Sequence, residues 1–243
     1  RHVDAGHHDL ARSGLAELAD RVPPGLPLCF EHSFFGAQAA ERLDLPFSPA
    51  GGAGGSGGGV AAGRGVLSLD TGTGGSIRHP ASVCGVVGLK PTYGLVPLRG
   101  VVPLATSLDH VGPIARSVAD VAAALTAMAG FDPADPTSIP APAVDYLAAI
   151  GRDVRGLRVG IPSNSFYQFG LPRALELVDL ARSTLERLGL QPISLHLPRA
   201  EETNELCTLI IAAELWTYHE RHQGKEDLYG RDLSKRAAVG REI

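Results

Sequence analysis

Hydrophobic positions along the chain follow two spacings. Val66-Leu67-Ser68-Leu69, Leu157 to Pro162 and Pro192 to Leu197 have the short apolar character of strands, and Leu26 to Phe30 reads as a further buried one. Apolar residues recur at helical spacing over 9–20, Gly36 to Leu43, Val118 to Ala129, Arg173 to Leu188 and Glu201 to His222. Ser117 is placed as an N-cap, and Gly130 and Gly189 fall where helices end. Ser76 to Cys84 reads as a shorter helix. Leu95-Val96-Pro97 and Val101-Val102-Pro103 read as extended pieces, and Asp132 to Ala143 as a proline-rich connection. Pro46 to Gly59 reads as a glycine-dense loop, because each helical glycine costs about 1 kcal/mol against alanine. Strands alternating with helices predict an α/β fold with a mixed, largely parallel β-sheet flanked by helices.

Composition narrows the function classes. The 243 residues are 44% apolar and 20% charged, enough for a substantial core. A net charge of −4 gives no electrostatic footprint for direct nucleic-acid binding. Of the 22 basic residues only Lys90, Lys225 and Lys235 are lysines. Cys29, Cys84 and Cys207 form neither a metal spacing nor a disulfide framework, which predicts a reducing, cytoplasmic setting. No apolar run reaches the roughly 18 residues of a membrane span. The chain opens on Arg1 and its one methionine is Met128, which predicts a trimmed, processed or incomplete start.

The densest chemical signal is Asp70-Thr71-Gly72-Thr73-Gly74-Gly75-Ser76-Ile77-Arg78. An amide carbonyl is weakly electrophilic, and covalent attack by a serine oxygen overcomes that. Glycines reach positive φ and bring bare N–H groups close to a developing oxyanion. Each such donor contributes on the order of 2.7–4 kcal/mol. Two readings of Gly74-Gly75-Ser76 stand: a tight turn after a strand, or a nucleophile with its oxyanion hole.

Other patterns are weak. Gly54-Gly55-Ser56-Gly57-Gly58 fits a nucleophile elbow, and Gly52 to Gly57 a dinucleotide fingerprint, only because polyglycine fits almost anything. No phosphate-binding GK[ST] element is present. His7-His8 reads as a loose end, His79 and His110 as surface or hydrogen-bonded core histidines, and 220–236 as a solvated helical face.

Taken together, Gly51 to Ile161 resemble the amidase signature family, whose members hydrolyse carboxamides. The match runs through Gly74-Gly75-Ser76-Ile77-Arg78, Cys84-Gly85-Val86-Val87-Gly88-Leu89-Lys90-Pro91-Thr92-Tyr93-Gly94, Gly100-Val101-Val102-Pro103 and Ser107-Leu108-Asp109-His110-Val111-Gly112-Pro113-Ile114-Ala115-Arg116. The resemblance implies Ser76 as the acylated nucleophile, Thr73, Gly74 and Gly75 as oxyanion hole, and Arg78 as a supporting residue. It implies no metal and no cofactor. The implied partners are a small-molecule amide substrate and either a second copy in a homodimer or the subunits of a glutamyl-tRNA amidotransferase. Residues 1–48 read as a divergent N-terminal segment and 49–243 as a partial amidase domain, incomplete against the family fold.

The chain departs from the family pattern at the proton path, which there runs through a cis-serine to a neutral lysine. The cis-serine position, 24 residues before Ser76, is Gly52, and its serine neighbour is Ala53. The family's Gly-Thr-Asp-Thr-Gly-Gly-Ser becomes a sequence whose aspartate stands at Asp70 and whose aspartate position is Gly72. No lysine precedes Lys90. Ser56 is the hydroxyl left to relay a proton. The alternative to an active amidase is a catalytically impaired homologue or fragment with a binding or scaffold role.

Overall fold

The computed structural model describes residues 54–164, 172–225, 229 and 231–243, without the side chains of 231 and 232. The expectations for residues 1–53, including the first two helices, the strand at 26–30 and the Gly52 and Ala53 positions, lie outside these. Two compact units are present. One comprises residues 54–150 with 210–243, the other residues 151–209.

The alternation of residues 67–71 builds the first unit. Strand β1 (Leu67–Thr71) turns Leu67 and Leu69 to one side, where they pack with Val96, Val111, Ala115, Val121, Leu125 and Met128. Ser68 and Asp70 face the other way. Strand β3 (Val111–Ala115) is buried throughout and lies between β1 and β2 (Val87–Gly88). Both pairings are antiparallel, with Leu67 opposite Ala115, Asp70 opposite Gly112, and Val87 again opposite Ala115.

Helices cover both faces. Helix α3 (Val118–Met128) buries Val121, Ala124, Leu125 and Met128, one stripe at helical spacing. Ser117 caps it by accepting from the Asp120 amide, as expected. On the opposite face, Val60, Ile77, Ala81 and Ile114 form a second cluster. Two elements there differ from the sequence expectation. Residues 54–59 are not loop but the start of a buried helix, α1 (Gly54–Ala61). Packing overrides propensity: a Cβ on Gly57 would stand 3.2 Å from the Pro80 carbonyl oxygen, so glycine lets the two backbones approach. Helix α2 runs Arg78–Cys84 and so starts two residues after Ser76, because Gly75, at φ 125°, breaks the helical path. Gly85, at φ 67°, closes it. The pieces at 95–97 and 101–103 pair with no strand.

The second unit holds the parallel pairing. Strand β4 (Arg158–Pro162) leads to helix α4 (Pro172–Arg187), which returns to β5 (Gln191–Leu195) alongside β4, with Arg158 opposite Gln191. Gly189, at φ 90°, ends α4, and its carbonyl accepts from the Gly156 amide. Buried Asn164 fastens the unit through both its amide atoms to Leu197.

Helix α5 (Ala200–His219) begins in the second unit and ends in the first, where Ala212 and Leu215 are buried. Helix α6 (Arg231–Glu242) follows. Gly240 of α6 meets Ala212 so closely that a Cβ would overlap its carbonyl. Within 220–236, Glu220–His222 form a 3-10 turn and α6 begins at Arg231. No described helix is long and apolar enough to cross a membrane.

Candidate functional site

Strand β1 delivers the chain to the serine turn, and the strand pairing persists one step past it. Gly72 and His110 exchange backbone hydrogen bonds at 2.8 and 3.1 Å, continuing the β1–β3 ladder. A Cβ at Gly72 would lie 2.9 Å from Ile77 Cδ1, so a side chain at the position that carries the family's aspartate would have to shift the buried Ile77 side chain.

The turn itself is anchored by its threonine. Thr73 Oγ1 donates a short hydrogen bond to Asp109 Oδ1. The second oxygen of Asp109 accepts from the amides of Leu104 and Ala105 at 2.8 and 3.1 Å. Asp109 and Ala105 are buried, Thr73 and Leu104 half-buried, so the carboxylate meets its donors largely sheltered from water. The loop it organises is held from outside as well, since Glu214 on α5 accepts from the amide and hydroxyl of Ser107.

Gly74 is exposed, while Gly75 and Ser76 are half-buried. The Gly75 carbonyl accepts from the His79 amide at 2.8 Å. Among the described residues no backbone carbonyl is bonded to the N–H groups of Gly74, Gly75 or Ser76. The half-buried Ser76 hydroxyl thus stands beside amides that no described backbone carbonyl accepts from.

Arg78 is exposed. Its charge, after burial, helps hold the Lys90 amine below the usual lysine range. Lys90 Nζ donates to the Pro91 carbonyl at 2.6 Å and lies 3.0 Å from His110 Nε2. His110 Nδ1, 2.7 Å from the Leu108 carbonyl, carries the proton by this pattern, which leaves Nε2 as the acceptor from Lys90. Burial is the main reason the His110 imidazole sits below its ordinary range. His110 is thus a half-buried, hydrogen-bonded histidine, and His79 an exposed one.

Ser56, on α1, is fully buried and hydrogen-bonds the side chain of Asp70. Asp70 Oδ1 also accepts from the Thr71 amide at 2.7 Å. Burial pushes the Asp70 carboxyl up to about 6, although both hydrogen bonds pull the other way.

Thr73, Gly74, Gly75, Ser76 and Arg78 accordingly share one turn, and Ser56 reaches the strand that feeds it. Sequence reasoning left out Asp109 and Asp70. The signal for Asp70 was present in the displacement of the aspartate by two places. Asp109 lies 36 residues from Thr73, and no local pattern reports that pairing. Among the described residues, no cluster of three His, Cys, Asp or Glu side chains is arranged to hold a metal ion.

Comparison with known proteins gives consistent matches. The Amidase family model matches residues 31–242. One subunit of the glutamyl-tRNA(Gln) amidotransferase of Pelobacter propionicus is 45% identical over 176 residues, 72% of this chain and 36% of that protein. Native peptide amidase from Stenotrophomonas maltophilia superposes with a TM-score of 0.67 at 34% identity, over 79% of this chain and 44% of its own. A chain of the vestigial protein complex that reveals the evolutionary origins of an s-triazine catabolic enzyme gives a TM-score of 0.75 at 36% identity, over 81% and 42%. The chain spans less than half the length of each of these relatives.

Proposed function

The chain belongs to the amidase family, and from that premise we propose that its Ser76 turn attacks a carboxamide carbon and releases the amine through an acyl-enzyme. The observation that supports this reading is the turn: a half-buried Ser76 beside amides that no described backbone carbonyl accepts from, with Thr73 held by Asp109. Attack forms the Ser76 Oγ–carbon bond and moves the carbonyl electron pair onto oxygen. In this reading the N–H groups of the 73–76 turn stabilise that oxygen. The C–N bond then breaks as the proton lost by the Ser76 hydroxyl is delivered to the leaving nitrogen, and water then hydrolyses the ester, giving the acid and returning a proton to Ser76 Oγ. Arg78 supplies positive charge at the rim, and no metal or cofactor enters.

The similarity to an amidotransferase component favours a second reading, in which the same turn releases ammonia from a primary carboxamide for partner subunits. Both readings place the acyl group on Ser76.

A fluorophosphonate probe, which phosphonylates an activated serine with loss of fluoride, tests the shared step. The wild-type chain is expected to label and Ser76→Ala to stay unlabelled. Equal labelling of the two would remove Ser76 from the chemistry and leave a binding or scaffold role. A panel of primary and secondary amides then separates the two readings, since only the first releases a substituted amine.

A further inference from the structure

We infer that Glu214 of helix α5 is a positioning residue for the serine turn: it fixes the 104–109 loop through Ser107, and that loop fixes Thr73 through Asp109. This rests on the acyl-enzyme reading above, and it assigns the geometry of the turn to a side chain far from Ser76 in sequence.

The turn has little of its own to hold its shape. Gly74 and Gly75 separate Thr73 from Ser76 and carry no side chain. Glycine also leaves the backbone its widest freedom, so the path between them is set at the two ends. At the far end Ile77 is buried. At the near end the fastenings come from one segment. His110 exchanges backbone hydrogen bonds with Gly72, and Asp109 accepts from the Thr73 hydroxyl. Where residues 104–110 sit therefore decides where the turn sits.

That loop is closed on itself and tied from outside. The Leu108 and Asp109 amides both donate to the Ala105 carbonyl, at 2.9 and 2.8 Å, and Asp109 Oδ2 accepts from the Leu104 and Ala105 amides. Tyr93 donates its hydroxyl to the Thr106 carbonyl at 2.8 Å. Burial, and after it the Asp135, Glu214 and Asp109 charges, hold the Tyr93 phenol above its ordinary range, so it stays a donor. Glu214 grips the next residue with both oxygens, Oε2 on the Ser107 amide at 3.0 Å and Oε1 on its hydroxyl. A two-point carboxylate contact fixes direction as well as distance. Its footing is firm: Leu215 beside it is fully buried, and buried Ala212 meets Gly240 of α6 backbone to backbone. Glu214, the loop and the turn all belong to the first unit.

The consequence falls on rate more than on stability. Ser107 is exposed and Glu214 half-buried, so water replaces bonds lost between them and the fold loses little. Donors aimed at a developing charge are less forgiving, since a displacement of about 1 Å can slow a reaction by about a hundredfold.

The test is the kinetics of fluorophosphonate labelling, resolved into probe binding and the rate of bond formation. The variants are Glu214→Ala, Glu214→Gln, Thr73→Val, Glu214→Ala with Thr73→Val, and Ser76→Ala. The phosphoryl oxygen gains charge as Ser76 attacks, so it draws on the same N–H groups as a carbonyl oxygen. Glu214→Ala is expected to form the bond about tenfold more slowly, with probe binding within about twofold of wild type. Glu214→Gln keeps an acceptor oxygen for Ser107 and should recover most of that rate. In the Thr73→Val background, Glu214→Ala should cost at most about twofold more, because the link it acts through is already cut. Bond formation by Glu214→Ala within about twofold of wild type, with Ser76→Ala silent, overturns the positioning role and leaves Ser76 as nucleophile. An equal slowing with and without Thr73→Val overturns it too, since Glu214 would then act by another route. Wild-type labelling no greater than that of Ser76→Ala overturns both readings. Circular dichroism shows that rates are compared on folded protein. Should Glu214→Ala not fold, Ser107→Ala removes the hydroxyl half of the contact at an exposed site and is expected to slow bond formation about threefold, an unchanged rate overturning the role.

Discussion

Replacing Asp109 should loosen the turn that carries Ser76, by an amount the hydrogen bonds set. Asp109 receives the Thr73 hydroxyl on one oxygen and the Leu104 and Ala105 amides on the other. Asp109→Ala strands all three donors where water reaches them poorly. A buried donor left unpaired costs about 1–3 kcal/mol, and partial relaxation toward solvent puts the total near 3–4 kcal/mol. Asp109→Asn keeps an oxygen for the two amides and turns its NH2 toward the threonine oxygen, so a loss of about 1–1.5 kcal/mol is expected. Urea unfolding at constant m-value measures both losses as a shift in midpoint. The pairing is isolated by a double-mutant cycle with Thr73→Val, for which a coupling of at least about 1 kcal/mol is expected. An Asp109→Ala cost below about 1 kcal/mol, or additive effects in the cycle, would refute the claim that this carboxylate fastens the turn.

Two further outcomes follow from packing and charge. Asp70 should make the fold less stable as pH rises from about 4 to 7. Its carboxyl, near 6 when folded and 3.8 in its ordinary state, binds its proton more tightly in the native form. The stability present below the lower value is lost through the upper one, by about 3 kcal/mol. Asp70→Asn should flatten that limb in urea midpoints taken across the range, and an unchanged slope would contradict the assignment. Gly112→Ala should cost about 3 kcal/mol by thermal unfolding, since its Cβ would lie 2.1 Å from the Leu89 carbonyl oxygen. Gly85→Ala should cost only about 1 kcal/mol, because nothing lies near its Cβ and only the positive φ resists it. Equal costs would show that close approach is not what selects glycine at 112.

Local signals carried much of the fold. Ser117, the stripe from Val121 to Met128, and Gly189 each report a cap, a face or a stop within a few residues, and each stands where the sequence puts it. The parallel pairing of β4 and β5 was also legible, because a helix separates two apolar runs. The helix at 54–61 was not. Its glycines argue against a helix by propensity, and the reason to form one is the Pro80 backbone more than 20 residues away. The antiparallel β1–β3 pairing was equally hidden, since Val111–Ala115 holds a glycine and a proline and is buried on both faces, so it shows no alternation. In the site, Ser76 and its glycines were legible as a block. Their anchor, Asp109, was not, because its role is created by a contact across 36 residues.

The departures from the family pattern around the turn belong together physically. With Ile77 packed 2.9 Å from where a Cβ of residue 72 would stand, an aspartate at 72 would displace a core side chain. Its loss is matched by an aspartate two residues earlier on the same strand face, since 70 and 72 share the period of the pleat. A carboxylate arriving at 70 without partners would carry the full penalty of a desolvated charge. Here it meets the Ser56 hydroxyl and the Thr71 amide. Ser56 can reach it only because the glycines around it form a helix close against α2 instead of the open loop their propensity suggests. Gly72, Asp70, Ser56 and the glycine helix thus fit one another in the packing around β1.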